Sequence, residues 1–139
     1  MTTDKYLMEY DIKPSVQRIA IMDYLKEHKT HPTADEIFNA LSPSMPTLSK
    51  TTVYNTLKLF TEQGAALCIH IEEKNARFDG DVSRHAHFIC LGCGCIYDIS
   101  LEQLESVTVK NIDELTVVET HLYYKGYCKK CREVYKLNT

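Results

Sequence analysis

The chain has 139 residues, 44% of them hydrophobic, and a net charge of −3, which allows one ordinary domain or two small ones and excludes wholesale disorder. A pI near 6.1 speaks against a uniformly basic coat for nucleic acid, but a local basic stripe can still bind phosphate. No apolar run approaches a membrane span and no signal-peptide core opens the chain, so the expectation is a cytoplasmic protein without a membrane partner, in which six cysteines serve metal or redox chemistry rather than disulfides.

Residues 1–14 read as a polar lead-in. Lys13-Pro14-Ser15 ends anything before it and offers Ser15 as N-cap to a helix through about His28, striped by Val16, Ile19, Ala20 and Met22 to Leu25. Thr33-Ala-Asp-Glu36 is a capping box for a short helix with Ile37, Phe38 and Leu41 inward. After the loop at 42–46, Ser49 caps a third helix whose apolar face is Val53, Leu57 and Phe60, with Gly64 as its stop. Its other face carries Lys50, Thr51, Tyr54, Asn55 and Lys58, groups that reach phosphates and base edges, although many solvated helix faces look the same. Ala65 to Ile71, a turn at 72–75 and Ala76 to Phe78 read as a hairpin. Three helices and a hairpin are the layout of a winged helix-turn-helix, with the helix from Ser49 as the one for the major groove.

Asp79 to Arg84 is polar and contains a glycine, the place for a linker. The expected division is 1–80, a hinge at 81–84, and 85–139. In the last part Ala86 to Leu91 and Cys95 to Ile99 read as strands, Ser100-Leu-Glu-Gln103 as a capping box opening a helix, and Leu115 to Tyr124 as a long β run before a polar tail. The fold class is therefore α+β.

Two constellations carry chemistry. Cys90-x-x-Cys93 and Cys128-x-x-Cys131 can each place two sulfurs on one ion, and four thiolates suit a closed tetrahedral Zn²⁺ that staples a small domain. An iron–sulfur cluster or a redox pair are lesser options. His85 and His87 are two apart, so on a strand both rings share a face, and with nearby carboxylates they suit Fe²⁺, Mn²⁺ or Zn²⁺.

Several stretches occur in an order that resembles the ferric uptake regulator (Fur) family of metal-dependent transcription factors. They are His31-Pro-Thr-Ala-Asp-Glu-Ile-Phe, Thr51-Thr-Val-Tyr-Asn-Thr-Leu, Arg77-Phe-Asp79, His85-Ala-His87-Phe-Ile-Cys90-x-x-Cys93-Gly and Cys128-x-x-Cys131. The resemblance implies an N-terminal winged-helix DNA-binding domain, a C-terminal α/β dimerisation domain, and a homodimer on palindromic operators in double-stranded DNA. It also implies structural zinc on Cys90, Cys93, Cys128 and Cys131, and a regulatory Fe²⁺ or Mn²⁺ on His31, Asp79, His85, His87 and Asp98. For DNA it points to Tyr54 with Ser49, Thr51 and Asn55, and to Lys13 and Arg18. Aspartates at 79 and 98, where iron regulators usually carry glutamate, resemble the peroxide-sensing PerR branch. That branch implies iron-catalysed oxidation of a ligand histidine, here His31 or His85, in a sensor rather than an enzyme. The alternatives are an iron-responsive uptake repressor within the family, a metalloenzyme built on His85 and His87, and a zinc-stapled protein-interaction module.

Overall fold

A helix, α1 (Thr3–Glu9), occupies the stretch expected to be only a polar lead-in. Leu7 and Ile12 are buried, and the Tyr6 hydroxyl donates to the Ala65 carbonyl at 2.7 Å. In the computed structural model, residues 1–70, 76–83, 85–100, 111–117 and 121–135 are described. They fall into two units, Met1–Val82 and Ser83–Thr139.

The next three helices of the first unit begin at the expected caps. Ser15 Oγ accepts the Arg18 amide at the start of α2 (Val16–Glu27). Thr33 Oγ1 accepts the Glu36 amide before α3 (Ala34–Leu41), and Ser49 Oγ accepts the Thr52 amide before α4 (Lys50–Gln63). Each cap satisfies an amide that the helix itself leaves without a partner. Gly64 closes α4 at φ 82, a conformation that costs other residues about 1 kcal/mol or more. Ile21, Met22, Leu25, Ile37, Val53, Leu57 and Phe60 are buried together, so the apolar faces of α2, α3 and α4 form one core. Strands β1 (Leu67–Ile69) and β2 (Arg77–Asp79) pair antiparallel as the wing, with Cys68 opposite Phe78. The unit is a winged helix-turn-helix with one helix more than expected. The turn expected at 72–75 lies outside the described residues.

In the second unit β3 (His85–Cys90) is central, antiparallel to β4 (Ile96–Ser100) on one side. Beyond it come the short pair β5 (Asn111–Ile112) and β6 (Leu115–Thr116), then β7 (Tyr123–Gly126), which lies parallel to β3 on its other side. The long run expected over Leu115 to Tyr124 is therefore two separate strands. Its first part turns back on β5 through Asp113, which sits at φ 53. The tail holds a helix, α5 (Lys129–Val134). The helix expected from the capping box at 100–103 falls on 101–110, outside the described residues.

Candidate metal centres and helix face

The two Cys-x-x-Cys pairs meet because β3 and β7 are parallel, with Cys90 opposite Gly126, so both chains leave the sheet at the same end. Leu91 N–H donates to the Gly126 carbonyl at 2.7 Å and carries the pairing into the first turn. The four sulfurs lie within 4.8 Å of one another, Cys93 and Cys128 at 4.0 Å. Tetrahedral zinc with bonds of about 2.3 Å needs sulfurs about 3.8 Å apart, so the four thiols fit that ion. The backbone prepares them: Cys90 Sγ accepts the amides of Cys128 at 3.3 Å and Cys93 at 3.5 Å, and Cys128 Sγ accepts that of Cys131 at 3.5 Å. Burial raises the Cys90 thiol, but the amides of Cys128, Cys93 and Gly92 outweigh it and bring its pKa down to about 6. Burial, with hydrogen bonding to Cys90, pushes Cys131 up to about 12. One sulfur is thus ready as thiolate and another needs an ion to displace its proton. Cys95 is exposed and stands outside this group of four; Cys68 lies in β1 of the other unit.

The histidine–carboxylate residues form two half-sets, one in each unit. In the first, His31 Nε2 is 3.5 Å from Asp79 Oδ2, and both residues are at most 5% exposed. The wing creates the pairing. Phe78 N–H donates to the Pro32 carbonyl at 2.9 Å, Thr33 bridges to Arg77, and the Arg77 guanidinium donates to the His31 carbonyl at 3.1 Å. These bonds hold His31 at φ 58, a conformation that a bulky residue keeps only where its surroundings impose it. Asp79 Oδ1 also accepts the Asp81 amide at 2.9 Å.

In the second half-set, register does the work. His87 lies opposite Asp98 across β3 and β4, and His85 is on the same face two residues earlier. His85 and His87 approach Nε2 to Nε2 at 2.9 Å, and each is 3.5 Å from Asp98 Oδ1. The Ser83 carbonyl accepts from His85 Nδ1 at 2.6 Å, which fixes the tautomer and turns the bare Nε2 into the cluster. Donor atoms about 3 Å apart are spaced as neighbouring ligands on one ion with bonds of about 2.1 Å. The donors in both sets are imidazole and carboxylate, with no thiol, a chemistry that suits Fe²⁺ or Mn²⁺.

On the first unit Tyr54 is 51% exposed, and Thr51 and Asn55 lie with it on the outer face of α4. The hydroxyl of Ser49 is taken up in the cap and also meets Thr52 Oγ1 at 2.9 Å. Lys13, Arg18 and Asn55 line a groove of about 470 Å³ between the start of α2 and α4. The Arg18 guanidinium donates to the Lys13 carbonyl at 2.8 Å, which ties its side chain to the turn before α2. Expectations from sequence missed Arg77, the anchor of His31, whose signal was its place two residues before Asp79. They also missed Asp35, whose Oδ1 accepts the Tyr54 hydroxyl at 3.2 Å; nothing local in the sequence announces that pairing.

Comparison with known proteins gives a consistent result. The model of the ferric uptake regulator family matches residues 9–125. The peroxide-responsive repressor PerR of Staphylococcus epidermidis is 36% identical over 129 residues, covering 91% of this chain and 86% of that one. The peroxide stress regulator of Campylobacter jejuni has a TM-score of 0.66 at 25% identity, over 92% of this chain and 95% of that one. The ferric uptake regulator of Pseudomonas aeruginosa with manganese has a TM-score of 0.71 at 21% identity, over 93% and 99% respectively, a likeness of fold.

Proposed function

The chain belongs to the ferric uptake regulator family, and from that premise we propose that it is a metal-dependent, DNA-binding transcriptional repressor that senses peroxide. The observation that carries the proposal is the division of donors. Every paired cysteine is drawn into one cluster suited to zinc, while three imidazoles and two aspartates form separate half-sets suited to Fe²⁺ or Mn²⁺. Likeness to peroxide-responsive repressors at 36% identity supports the same branch.

On this proposal Cys90, Cys93, Cys128 and Cys131 hold structural zinc, and His31, Asp79, His85, His87 and Asp98 hold one regulatory ion. Because His31 and Asp79 belong to the winged-helix unit and the other three to the second, an ion that takes ligands from both biases a two-state arrangement of the protein. Bound Fe²⁺ supplies the reducing power that turns hydrogen peroxide into a local oxidant. The chain's own part is to hold His31 and His85 as its targets. His31 is fixed by Arg77 and the wing, and His85 by Ser83. An oxygen added to either ring weakens its hold, and the DNA-binding arrangement loses its support. The protein acts in the cytoplasm as a homodimer on palindromic operators. α4 enters the major groove with Thr51, Tyr54 and Asn55, Ser49 stays in the cap, and Lys13 and Arg18 neutralise phosphate.

The test compares Fe²⁺-loaded and Mn²⁺-loaded protein before and after low peroxide. Operator binding by the iron form should be lost, with one oxygen gained on the peptide containing His31 or His85, while the manganese form stays bound and unmodified. An iron form that keeps both its operator and its peptide masses defeats the sensor proposal in favour of an iron-responsive repressor.

A further inference from the structure

Asp35 sits in the first turn of α3, next to the buried Ala34, and faces α4. Its carboxylate accepts the hydroxyl of Tyr54, 19 residues away in sequence, at 3.2 Å. A phenol on an exposed helix face ordinarily donates to water, and against nucleic acid it donates to a base edge or phosphate. Here a carboxylate, the stronger acceptor, takes the hydrogen first. The nearby charge of Asp35, with burial and the hydrogen bond, raises the Tyr54 pKa and keeps the phenol a donor. At 3.2 Å the bond is longer than the usual O–H···O range of about 2.5–3.0 Å, so it orients the ring without locking it.

Resting on the assignment of α4 as the DNA-reading helix, we propose that Asp35 is a specificity-determining positioning residue that holds the Tyr54 hydroxyl on α3, so that Tyr54 meets DNA with its ring carbons. A hydroxyl that can donate and accept suits most base edges and phosphates, so leaving it free relaxes discrimination. The carboxylate adds a second effect. It is a negative charge beside the DNA-facing helix, and it opposes phosphate on every sequence alike. The first effect widens the gap between operator and non-specific DNA; the second lowers both affinities by the same factor and leaves the gap as it is.

The experiment uses the full chain with zinc and Mn²⁺. A palindromic duplex is selected by the wild-type protein from a random pool, and its scrambled counterpart serves as reference. Asp35→Ala, which removes both the acceptor and the charge, should lower the operator-to-scrambled affinity ratio about five- to tenfold, the lower end for one polar base-edge contact. Binding to the scrambled duplex should not weaken. In a Tyr54→Phe background the same substitution should leave the ratio unchanged, because Asp35 acts through the hydroxyl. In the free protein, the phenol titration assigned to Tyr54 by difference from Tyr54→Phe should move to lower pH in Asp35→Ala. An unchanged ratio, a full repeat of the fall in the Phe background, or an unmoved titration overturns the proposal. A wild-type chain that selects no duplex defeats the repressor proposal and this one with it.

Discussion

Gly92→Ala is the sharpest test of the four-cysteine cluster, because it alters no sulfur. A Cβ at position 92 would lie 2.8 Å from both Cβ and Sγ of Cys131, and 2.9 Å from Cε2 of Tyr135. Ordinary contact begins at 3.4 Å, so the turn bearing Cys90 and Cys93 must retreat by about 0.6 Å (3.4 − 2.8) or push Cys131 away by as much. A zinc site tolerates bond-length errors of about 0.2 Å. Overpacking of this kind costs about 1–3 kcal/mol, which corresponds to zinc affinity about 5- to 140-fold weaker. Competition against a chromophoric chelator measures it. Gly94→Asn is the control. Position 94 has open space around it and φ +76, which asparagine tolerates, so zinc affinity should stay within about twofold of wild type. Gly92→Ala protein that binds zinc as tightly as wild type would show that the turns do not close on one ion.

Zinc-free protein should lose stability as pH falls. Cys90 is held at about 6 in the fold against 9.0 for an ordinary thiol, so its contribution is present above about pH 9 and lost as pH falls through about 6. Urea midpoints at pH 8.5 and pH 6 should differ more in wild type than in Cys90→Ser, and equal differences would contradict the assignment. Arg77→Ala removes the 3.1 Å bond to the His31 carbonyl and the 4.0 Å pair with Glu36. Mn²⁺ affinity should fall about tenfold, as for other groups that orient a ligand, and calorimetry showing no change would leave His31 without a need for its anchor. Ser49→Ala removes the cap of α4 and should cost about 1 kcal/mol of stability in urea unfolding; no loss would mean that the Thr52 amide finds another acceptor.

The caps at Ser15, Thr33 and Ser49 and the stop at Gly64 were legible because each is a local rule with a local signature. The shared face of His85 and His87 was legible for the same reason, as strand alternation needs only two positions. α1 was not, since a seven-residue helix that buries Leu7 alone within its span gives too little periodicity to stand out from a polar stretch. α5 escaped because its N-cap is Cys128, whose sulfur accepts the Cys131 amide, a task usually looked for in Ser, Thr, Asp or Asn. The Asp35–Tyr54 contact and the Arg77 anchor depend on which segments pack together, information that no single window of sequence holds.

The parallel pairing of β3 with β7 also sets an order of events during synthesis. A parallel neighbour cannot be reached by a hairpin, and Cys128 is made 35 residues after Cys93. At roughly 5–20 residues per second, the first pair of thiols waits on the order of seconds for the second. During that interval Cys90 and Cys93 are an open two-sulfur site that many soft ions can enter and leave. The turn bearing Cys128 and Cys131 converts it into a closed one. Zinc retention therefore reports that translation has passed Cys131: a product that stops short of Cys128 has a metal pair but no lock, and chelation should separate it from chains that carry both pairs.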